Sequence, residues 1–198
     1  MVRAFFNEKA AIWDKEIAEK DTTKLDSMVQ RLDIKSGSTV LDVGTGTGIF
    51  IPYLLKKLGD NGHLIAIDIA EQMLARAKVK FPIQHIDHIQ ADVVRLPLYK
   101  DIFDTVVCYS SFPHFHDKQQ ALFELARVLK INGILFICHT ASRSTINGIH
   151  KGMPAVHNDL LPEYTEIHRM FTIAGFEDII IEDNEDTYLA TARKVIKN

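Results

Sequence analysis

Three glycines fall close together near residue 45, in the run Val40–Gly48 with the sequence VLDVGTGTG. Apolar residues before them predict a strand and the residues from 48 to 58 predict a helix, so the glycines occupy a strand-to-helix turn. Glycine lets a backbone turn tightly and approach a ligand closely, and the start of a helix offers unpaired backbone N–H groups. The run predicts a ligand-binding loop, although a tight turn without a ligand would leave the same pattern.

The spacing of these glycines argues against a dinucleotide site. Such sites carry G-x-G-x-x-G, in which the third glycine lets the helix pack closely on the strand. Here Gly48 falls one residue early, and Ile49 occupies the place of that third glycine. A nicotinamide-dependent oxidoreductase is therefore the weaker interpretation of this loop.

Three aspartates follow predicted strands at similar intervals. Asp68 lies 26 residues after Asp42, and Asp92 lies 24 residues after Asp68. The carboxyl ends of parallel strands meet at one edge of a sheet, and open α/β sheets bind ligands at that edge. Asp68 could accept two hydrogen bonds from a ribose diol, and Asp92 with the amide of Val93 could pair with a purine edge. Each aspartate alone could instead cap the following helix.

The elements that must position these residues alternate between strands and helices. The predicted strands are 39–43, 64–67, 86–90, 103–108 and 134–138, followed by two β runs, 177–182 and 187–192, around a short acidic turn. The predicted helices are 4–19, 21–33, 48–58, 71–80, 117–130 and 163–174. This alternation predicts an α/β fold with a parallel sheet covered on both faces. The final two runs predict a hairpin that adds one antiparallel strand.

Length and composition are those of a globular protein. The 198 residues, 46% hydrophobic and 25% charged, predict one domain over 1–198 that buries its own core. With 23 basic and 26 acidic residues the formal charge is −3, which disfavours nucleic-acid and anionic-membrane partners. We expect no membrane span and no secretory signal. Two cysteines, Cys108 and Cys138, exclude a disulfide-built fold and favour a cytoplasmic location.

Taken together, the motifs resemble those of class I S-adenosylmethionine-dependent methyltransferases over nearly the whole chain. Val40–Gly48 resembles the first family motif, Asp68 the ribose acid and Gln90–Asp92 the adenine motif. Similar stretches also occur at Arg95–Leu98 with Phe103-Asp104, at Ala126–Lys130 with Gly133, and at Phe5–Asp14, which resembles the cap of the small-molecule, ubiquinone-biosynthesis branch. Where the family usually has Pro-Gly, this chain has Asn132-Gly133, and Asn is also a favoured turn residue.

The resemblance implies a fold and a set of cofactor-binding residues. The implied fold is a Rossmann-like, doubly wound, seven-stranded sheet with an N-terminal helical cap over 1–35 and a substrate-covering insertion over 139–162. The glycines would cradle the methionine part of the cofactor, Asp42 its amino group, Asp68 the ribose, and Ser110 would lie near the sulfonium. The implied cofactor-binding residues are Asp42, Gly44, Thr45, Gly46, Gly48, Asp68, Ile69, Met73, Asp92, Val93 and Ser110.

Histidine is abundant in the second half of the chain, with six of the nine histidines between His114 and His168. The family's sheet order makes strands four and five neighbours, so histidines that follow these strands could gather at one edge. Three interpretations stay open: solvated or backbone-bonded residues, a base or orienting group at His114 or His139, or a metal site such as zinc. The candidate metal ligands are His114, His116, His139, His150 and His157.

The predicted reaction is methyl transfer from S-adenosylmethionine to a small-molecule acceptor, with S-adenosylhomocysteine as product. Methyl transfer is an in-line displacement, so the protein must align the reactants and exclude water. A base is needed only when the acceptor arrives protonated, and histidine suits that role near neutral pH. The expected assembly is a monomer or homodimer. The alternative is a non-catalytic protein that senses S-adenosylmethionine or a metal on the same fold.

Overall fold

The computed structural model describes residues 2–16 and 18–196. The helices are α1 (Val2–Lys9), α2 (Trp13–Glu16), α3 (Thr22–Arg31), α4 (Ile51–Leu58), α5 (Glu71–Lys80), α6 (Lys118–Val128), α7 (Arg143–Lys151) and α8 (Tyr164–Ala174), with a short 3-10 helix at Phe112–His114. The strands are β1 (Thr39–Val43), β2 (His63–Asp68), β3 (Ile86–Gln90), β4 (Phe103–Tyr109), β5 (Leu129–His139), β6 (Phe176–Asn184) and β7 (Thr187–Lys194).

Within the described residues, seven strands form one sheet in the order β3-β2-β1-β4-β5-β7-β6. Strands β1 to β5 pair in parallel, whereas β7 runs antiparallel to both β5 and β6. The chain passes outward from β1 to β3 and then returns to β4, so the direction of winding reverses between β1 and β4. The predicted doubly wound sheet with one antiparallel strand is confirmed, and its ligand-binding crevice is expected at this reversal.

Alternating residues of each strand supply two apolar layers, one on each face of the sheet. In β1, Leu41 and Val43 pack into one layer and Val40 into the other. Helices α6 and α8 contribute to the first layer, and α3, α4 and α5 to the second. Because helices cover both faces, a ligand reaches the strands only at an edge of the sheet.

Several predicted helix boundaries differ from the observed ones, and α3 ends at Arg31 instead of residue 33. The helix predicted over 4–19 is divided into α1 and α2, and Ile17 lies outside the described residues. Helix α4 begins at Ile51 instead of residue 48, because Gly48 has a φ of 85°, which is not helical. Helix α6 ends at Val128 instead of residue 130, because Leu129 already pairs with Phe103 in the sheet.

Residues 139–162 contain a helix that the sequence pattern did not predict. Helix α7 begins after Ser142, whose hydroxyl accepts a hydrogen bond from the Thr145 amide at 3.2 Å. Only Ile146 and Ile149 are apolar among its nine residues, so the helical period was too weak to detect. Across residues 2–16 and 18–196, none of the helices has the length and apolarity that crossing a membrane requires.

Candidate active site

A cavity of about 550 Å³ lies at the carboxyl edge of the sheet, where β1, β2 and β4 end. One end, which we call the glycine end, is lined by Asp42–Thr47, Asp68, Ile69 and Ala91–Val93. The other, which we call the histidine end, is lined by His114–His116, Ala141, Ile146 and Ile149. Phe6 and Trp13 of the N-terminal helices complete the wall. The cavity therefore lies at the reversal between β1 and β4, where a ligand site was expected.

At the glycine end, the loop after β1 turns through two glycines. Gly44 and Gly46 have φ angles of 70° and 57°, in the left-handed region that favours glycine. The Gly44 and Thr45 amides donate to the carbonyl oxygen of Ile67 at 2.8 and 2.9 Å, which anchors the loop to β2. A Cβ on Gly44 would lie 2.4 Å from Cβ of Ser111, whereas a Cβ on Gly46 would meet nothing within 4 Å. Gly44 thus permits close packing, and Gly46 presents bare backbone to the cavity.

Gly48 is not among the residues that line the cavity, although the resemblance implied a cofactor contact there. Its φ is 85°, and a Cβ at this position would lie 2.9 Å from the Phe81 ring and 3.0 Å from Ile51. The structure therefore gives Gly48 a packing role at the start of α4.

Asp42 lies beneath the loop, only 2% exposed, and its Oδ2 atom has no hydrogen-bond partner in the described chain. Burial raises the pKa of Asp42 to about 7, the Thr45 hydroxyl opposes this rise, and the nearby Asp68 carboxylate adds to it. Because buried polar atoms are nearly always paired, the unpaired Oδ2 atom indicates a site for a ligand that donates hydrogen bonds.

Asp68 ends β2 and joins two backbone segments. Its Oδ2 accepts from the Gly46 amide at 2.8 Å, and its Oδ1 accepts from the Ala70 amide at 2.7 Å. Burial raises the pKa of Asp68 to about 6, even though both amides favour the charged form. Each carboxylate oxygen can accept a second hydrogen bond, so Asp68 holds the loop and still offers acceptors to the cavity that it lines.

An apolar pocket adjoins Asp68, as expected for an adenine site. Ile69, Met73 and Val93 line the cavity together. Asp92 lies beside them, and its Oδ1 accepts a hydrogen bond from the Val94 amide at 3.2 Å. The structure thus brings together the residues that the resemblance implied for the adenine.

The N-terminal helices lie over the cavity and form hydrogen bonds with α5. Arg3 Nε donates to Glu71 Oε2 at 2.9 Å, and the Gln72 amide donates to Asn7 Oδ1 at 3.0 Å. The rings of Phe6 and Trp13 meet edge to face, with centroids 5.3 Å apart.

A second set of polar contacts connects α2 to the glycine loop. The Asp14 carboxylate accepts from the Thr47 hydroxyl and pairs with the Lys80 ammonium. Lys80 also donates to the Thr47 carbonyl oxygen at 3.0 Å. The cap therefore contacts the loop that would hold the cofactor.

A polar chain that sequence reasoning missed also reaches the cavity. The Tyr109 hydroxyl lies 3.1 Å from Thr140 Oγ1, which donates to Glu19 Oε2 at 3.2 Å. The Tyr109 ring stacks on Phe50, with centroids 4.4 Å apart. Tyr109 could have been found, because it ends a buried strand at the ligand-binding edge. Glu19 and Thr140 belong to no pattern that would have singled them out.

Ser110 follows Tyr109 and lines the cavity with a φ of 51°. Its amide donates to the Cys138 carbonyl oxygen at 2.9 Å, which fixes this strained residue between β4 and β5. The next residue, Ser111, donates its hydroxyl to the Val43 carbonyl oxygen at 2.6 Å. The two serines thus connect the glycine end with the histidine end.

At the histidine end, His114 pairs with a residue that the sequence did not indicate. Its Nδ1 lies 2.9 Å from Oδ2 of Asp159, 45 residues later in the chain. Burial lowers the pKa of His114, against the opposing effect of Asp159. The ring also contacts Phe6 and His150, with centroid separations of 4.9 and 4.8 Å. His114 lines the cavity, so its predicted place near a ligand fits the structure.

His139, the other predicted catalytic histidine, does not line the cavity. It is 2% exposed, and neither ring nitrogen has a hydrogen-bond partner within the described residues. Burial lowers the pKa of His139 to about 3, so the ring is neutral. Because a base must contact the acceptor or a bridging water, the prediction of a catalytic role for His139 lacks structural support.

The five histidines do not form the metal site that was considered. His116 faces Asp92, with 3.9 Å between Nδ1 and Oδ2, and the exposed His157 pairs with the Pro154 carbonyl oxygen. His114 and His150 use their Nδ1 atoms on the Asp159 carboxylate and the Asp159 carbonyl oxygen. No group of three or more His, Cys, Asp or Glu residues in the described chain is arranged to hold a metal ion.

Comparisons with known proteins show which family this chain belongs to. Residues 41–137 match a family model described as a methyltransferase domain. The demethylmenaquinone methyltransferase of Halalkalibacterium halodurans is 33% identical over 130 residues, which are 64% of this chain and 50% of that protein. The chain belongs to the class I S-adenosylmethionine-dependent methyltransferases. The family that the motifs predicted is confirmed.

A second curated protein is similar to this chain at lower identity. The ubiquinone/menaquinone biosynthesis C-methyltransferase of Enterobacter sp. strain 638 is 28% identical over 138 residues, 68% of this chain and 55% of that protein. The chain thus spans about half the length of these curated relatives.

A solved complex between the Haloferax volcanii Trm112 methyltransferase activator and its assigned methyltransferase partner contains a similar chain. The TM-score is 0.83 at 21% identity, over 100% of this chain and 99% of that one. At this identity the similarity concerns the fold alone.

Proposed function

We propose that the chain catalyses methyl transfer from S-adenosylmethionine to a small-molecule acceptor. The observation that carries the proposal is the single cavity that joins a glycine loop and two buried aspartates to an apolar chamber with His114. A methyltransferase needs both parts in contact, since the donor and the acceptor must meet in line.

The chemistry of the glycine end fits S-adenosylmethionine. Asp42 Oδ2 is buried without a partner, and the cofactor's methionine ammonium would supply the missing donor. The space over Gly46 leaves room for close approach of the methionine part. Asp68 would accept from the ribose hydroxyls, and Ile69, Met73 and Val93 would enclose the adenine, with Asp92 at its edge. Ser110 would lie near the sulfonium.

S-adenosylmethionine supplies a methyl group that is already activated by positive sulfur, so the chain need not provide a nucleophile. What this chain must do is orient the acceptor and exclude water. Phe6 and Trp13 in the wall, with Ile146 and Ile149 of α7, support that role, because they surround the cavity with apolar surface. Residues 1–35 would act as the cap, and 139–162 as the cover over the acceptor.

The acceptor that we propose is a small aromatic hydroxyl compound of the quinol type. Two relatives are named for demethylmenaquinone and for ubiquinone/menaquinone biosynthesis. The apolar histidine end suits a ring compound, and the formal charge of −3 gives no support to a nucleic-acid partner. We further propose a cytoplasmic monomer or homodimer, in keeping with two buried, unpaired cysteines.

A binding assay followed by a turnover assay tests this function. Calorimetry on the full chain should detect S-adenosylmethionine and S-adenosylhomocysteine, whereas NADH should give no heat. Mass spectrometry should then find S-adenosylhomocysteine formed only when a naphthoquinol is added. Cofactor binding without turnover on a panel of quinols and phenols would favour the sensor alternative, and NADH binding would favour the oxidoreductase.

A further inference from the structure

We propose that Asp159 and His114 form a proton-accepting pair, and that the methyl acceptor therefore carries an acidic hydroxyl of phenol or enol type. The inference rests on the proposed methyl transfer and assigns a substrate class to the histidine end. In it, His114 is the catalytic residue and Asp159 is a positioning residue.

The geometry of the pair sets the tautomer of the imidazole. An ionised carboxylate only accepts hydrogen bonds, so the 2.9 Å contact with Asp159 Oδ2 requires His114 Nδ1 to donate. Nε2 of the neutral ring then keeps its lone pair and is the nitrogen available to a ligand. Both side chains are largely shielded, 14% exposed for His114 and 20% for Asp159. Shielding from water strengthens this charge-assisted contact.

The surroundings hold the pair in place. Phe6 packs edge to face on the His114 ring, and His150 contacts the ring from α7. Asp159 itself is fixed through its backbone, since its amide donates to the Val156 carbonyl oxygen at 2.8 Å and its carbonyl oxygen contacts His150 Nδ1. A base with a fixed orientation loses little entropy when the acceptor binds.

The charged and titratable groups around His114 favour its neutral form. Besides Asp159, they are His150 on α7, the buried His139 at the end of β5, and Lys118 on α6. Burial is the main cause that lowers the pKa of His114, while Asp159 opposes it. The ring is therefore ready to accept a proton near neutral pH, and Asp159 would stabilise the imidazolium that forms.

The proton balance defines the acceptor class. The acceptor's O–H bond breaks, its proton passes to His114 Nε2, and its electron pair stays on oxygen or on the conjugated ring carbon. That atom forms the new bond to the methyl carbon, while the carbon–sulfur electron pair returns to sulfur. When the ring carbon is methylated, that carbon then loses its proton to water and the oxygen regains a proton, which restores the aromatic hydroxyl. The imidazolium later releases its proton to water. A neutral phenol or enol suits the apolar wall of Phe6, Ile146 and Ile149 better than a preformed anion would.

Two measurements on the full chain test the pair, with S-adenosylhomocysteine bound. Nitrogen NMR of isotope-labelled histidine should show His114 as the Nδ1–H tautomer. The added probe is para-nitrophenol at about pH 6, where the phenol is mostly neutral, and para-nitroanisole, which lacks the hydroxyl proton, is its control. The chain should bind the phenol about tenfold more tightly than the ether because the phenol O–H donates to Nε2, and this preference should be lost in His114→Gln and in Asp159→Asn.

Matched variants separate positioning from folding. Asp159→Glu should recover much of the preference for the phenol because it restores the carboxylate, and His157→Gln, in the same segment but outside the cavity, should retain all of it. An Nε2–H tautomer, a wild-type chain without a preference for the phenol, or an Asp159→Asn chain with the full preference would each overturn the inference. Calorimetry with S-adenosylhomocysteine is made first, because absence of binding there would instead reject the proposed function.

Discussion

The glycine end of the cavity takes its residues from short, contiguous stretches, whereas the histidine end joins residues far apart in the chain. Asp42, Gly44 and Gly46 lie within five positions, and Asp68 ends the neighbouring strand. His114 instead depends on Asp159, 45 residues later, and on Phe6 of the N-terminal helix. The first arrangement is a local turn beside paired strands. The second exists only when three segments pack together.

Because the two ends are built differently, substitutions at each end should have different effects. The glycine end is built from backbone geometry and buried carboxylates, so most substitutions there would disturb both folding and the cofactor. The histidine end is built from side chains on segments without regular spacing, so substitutions there can alter the acceptor and leave the cofactor site intact. Substitutions at the two ends of the cavity test this separation.

His114→Gln should reduce turnover strongly and leave cofactor binding nearly unchanged. With a naphthoquinol as acceptor, turnover should fall by about 100-fold or more, because the variant lacks a proton acceptor. The affinity for S-adenosylmethionine should stay within about twofold, since His114 belongs to the other end. Kinetics and calorimetry on the same preparations measure both quantities. An equal loss of turnover and affinity would show that His114 also supports cofactor binding.

Gly44→Ala should destabilise the fold, and Gly46→Ala is its matched control. Both positions have positive φ, which costs an alanine about 1–2 kcal/mol. Only Gly44 adds a steric clash, with Ser111 2.4 Å from the new Cβ, so its total loss should reach about 3 kcal/mol. Urea unfolding measures both variants, and equal losses would mean that Ser111 moves aside without cost.

Asp68→Ala should weaken binding of S-adenosylmethionine by about tenfold or more, because it removes charged acceptors from the ribose site. It also releases the Gly46 and Ala70 amides, so some destabilisation should accompany the loss. Asp68→Asn keeps one acceptor and the side-chain volume, and should lie between wild type and Asp68→Ala in calorimetry. Unchanged affinity in Asp68→Ala would remove this residue from the cofactor site.

Cofactor affinity should rise with pH up to about pH 7, the pKa to which burial raises Asp42. Below that pH the carboxyl is protonated and cannot pair with the cofactor's ammonium, so affinity should fall by up to about tenfold per pH unit. Asp42→Asn should bind weakly and show a flatter profile. A wild-type affinity that does not change between pH 5 and 8 would contradict this role of Asp42.

The same group should affect stability in the opposite direction. The folded pKa of Asp42 lies above its unfolded value, so the folded chain holds the proton more tightly. The stabilisation from this group is complete below its unfolded pKa and is lost as pH rises through about 7. The free energy of unfolding is measured against pH for the cofactor-free wild-type chain and for Asp42→Asn. The difference between the two profiles separates the contribution of Asp42 from those of the other buried groups.

Asp14→Ala should have the smallest effect. Its ion pair with Lys80 is partly exposed, with side-chain exposures of 41% and 36%, and such pairs contribute about 0–1 kcal/mol. Cofactor affinity should fall only about two- to threefold, because the cap keeps its contacts with α5. Stopped-flow binding in low and high salt measures the change, and a tenfold loss would mean that the cap governs the glycine loop.

Much of the glycine end could be predicted because its chemistry follows from local backbone rules. Left-handed turns favour glycine, and acids at the ends of parallel strands share one edge. The parallel sheet could also be predicted, because the alternation of strand and helix patterns is visible in neighbouring residues. Gly48 shows the limit of such reasoning, because its positive φ serves packing against Phe81 and not the cavity.

The histidine end could not be predicted to the same depth. The sequence indicated that His114 and His139 follow neighbouring strands, but not that one lines the cavity and the other is buried beneath the surface. His114 lies on the short 3-10 helix after β4, whereas His139 is the last residue of β5, so the packing of the connecting segments decides which histidine meets a ligand. The metal site was one of three interpretations of the histidines, and its ligands do not converge, since His116 and His157 contact other partners.

The sequence alone was enough for the family and the sheet, because turns, strand ends and buried runs are properties of neighbouring residues. It also predicted a set of cofactor-binding residues that, except for Gly48, line one cavity. The tertiary structure was needed to show that Asp159 contacts His114, that Tyr109, Thr140 and Glu19 form a polar chain, and that His139 does not line the cavity. Those contacts join segments with no fixed sequence spacing. They arise only when the packing of α7 and the N-terminal helices brings distant side chains within hydrogen-bond distance.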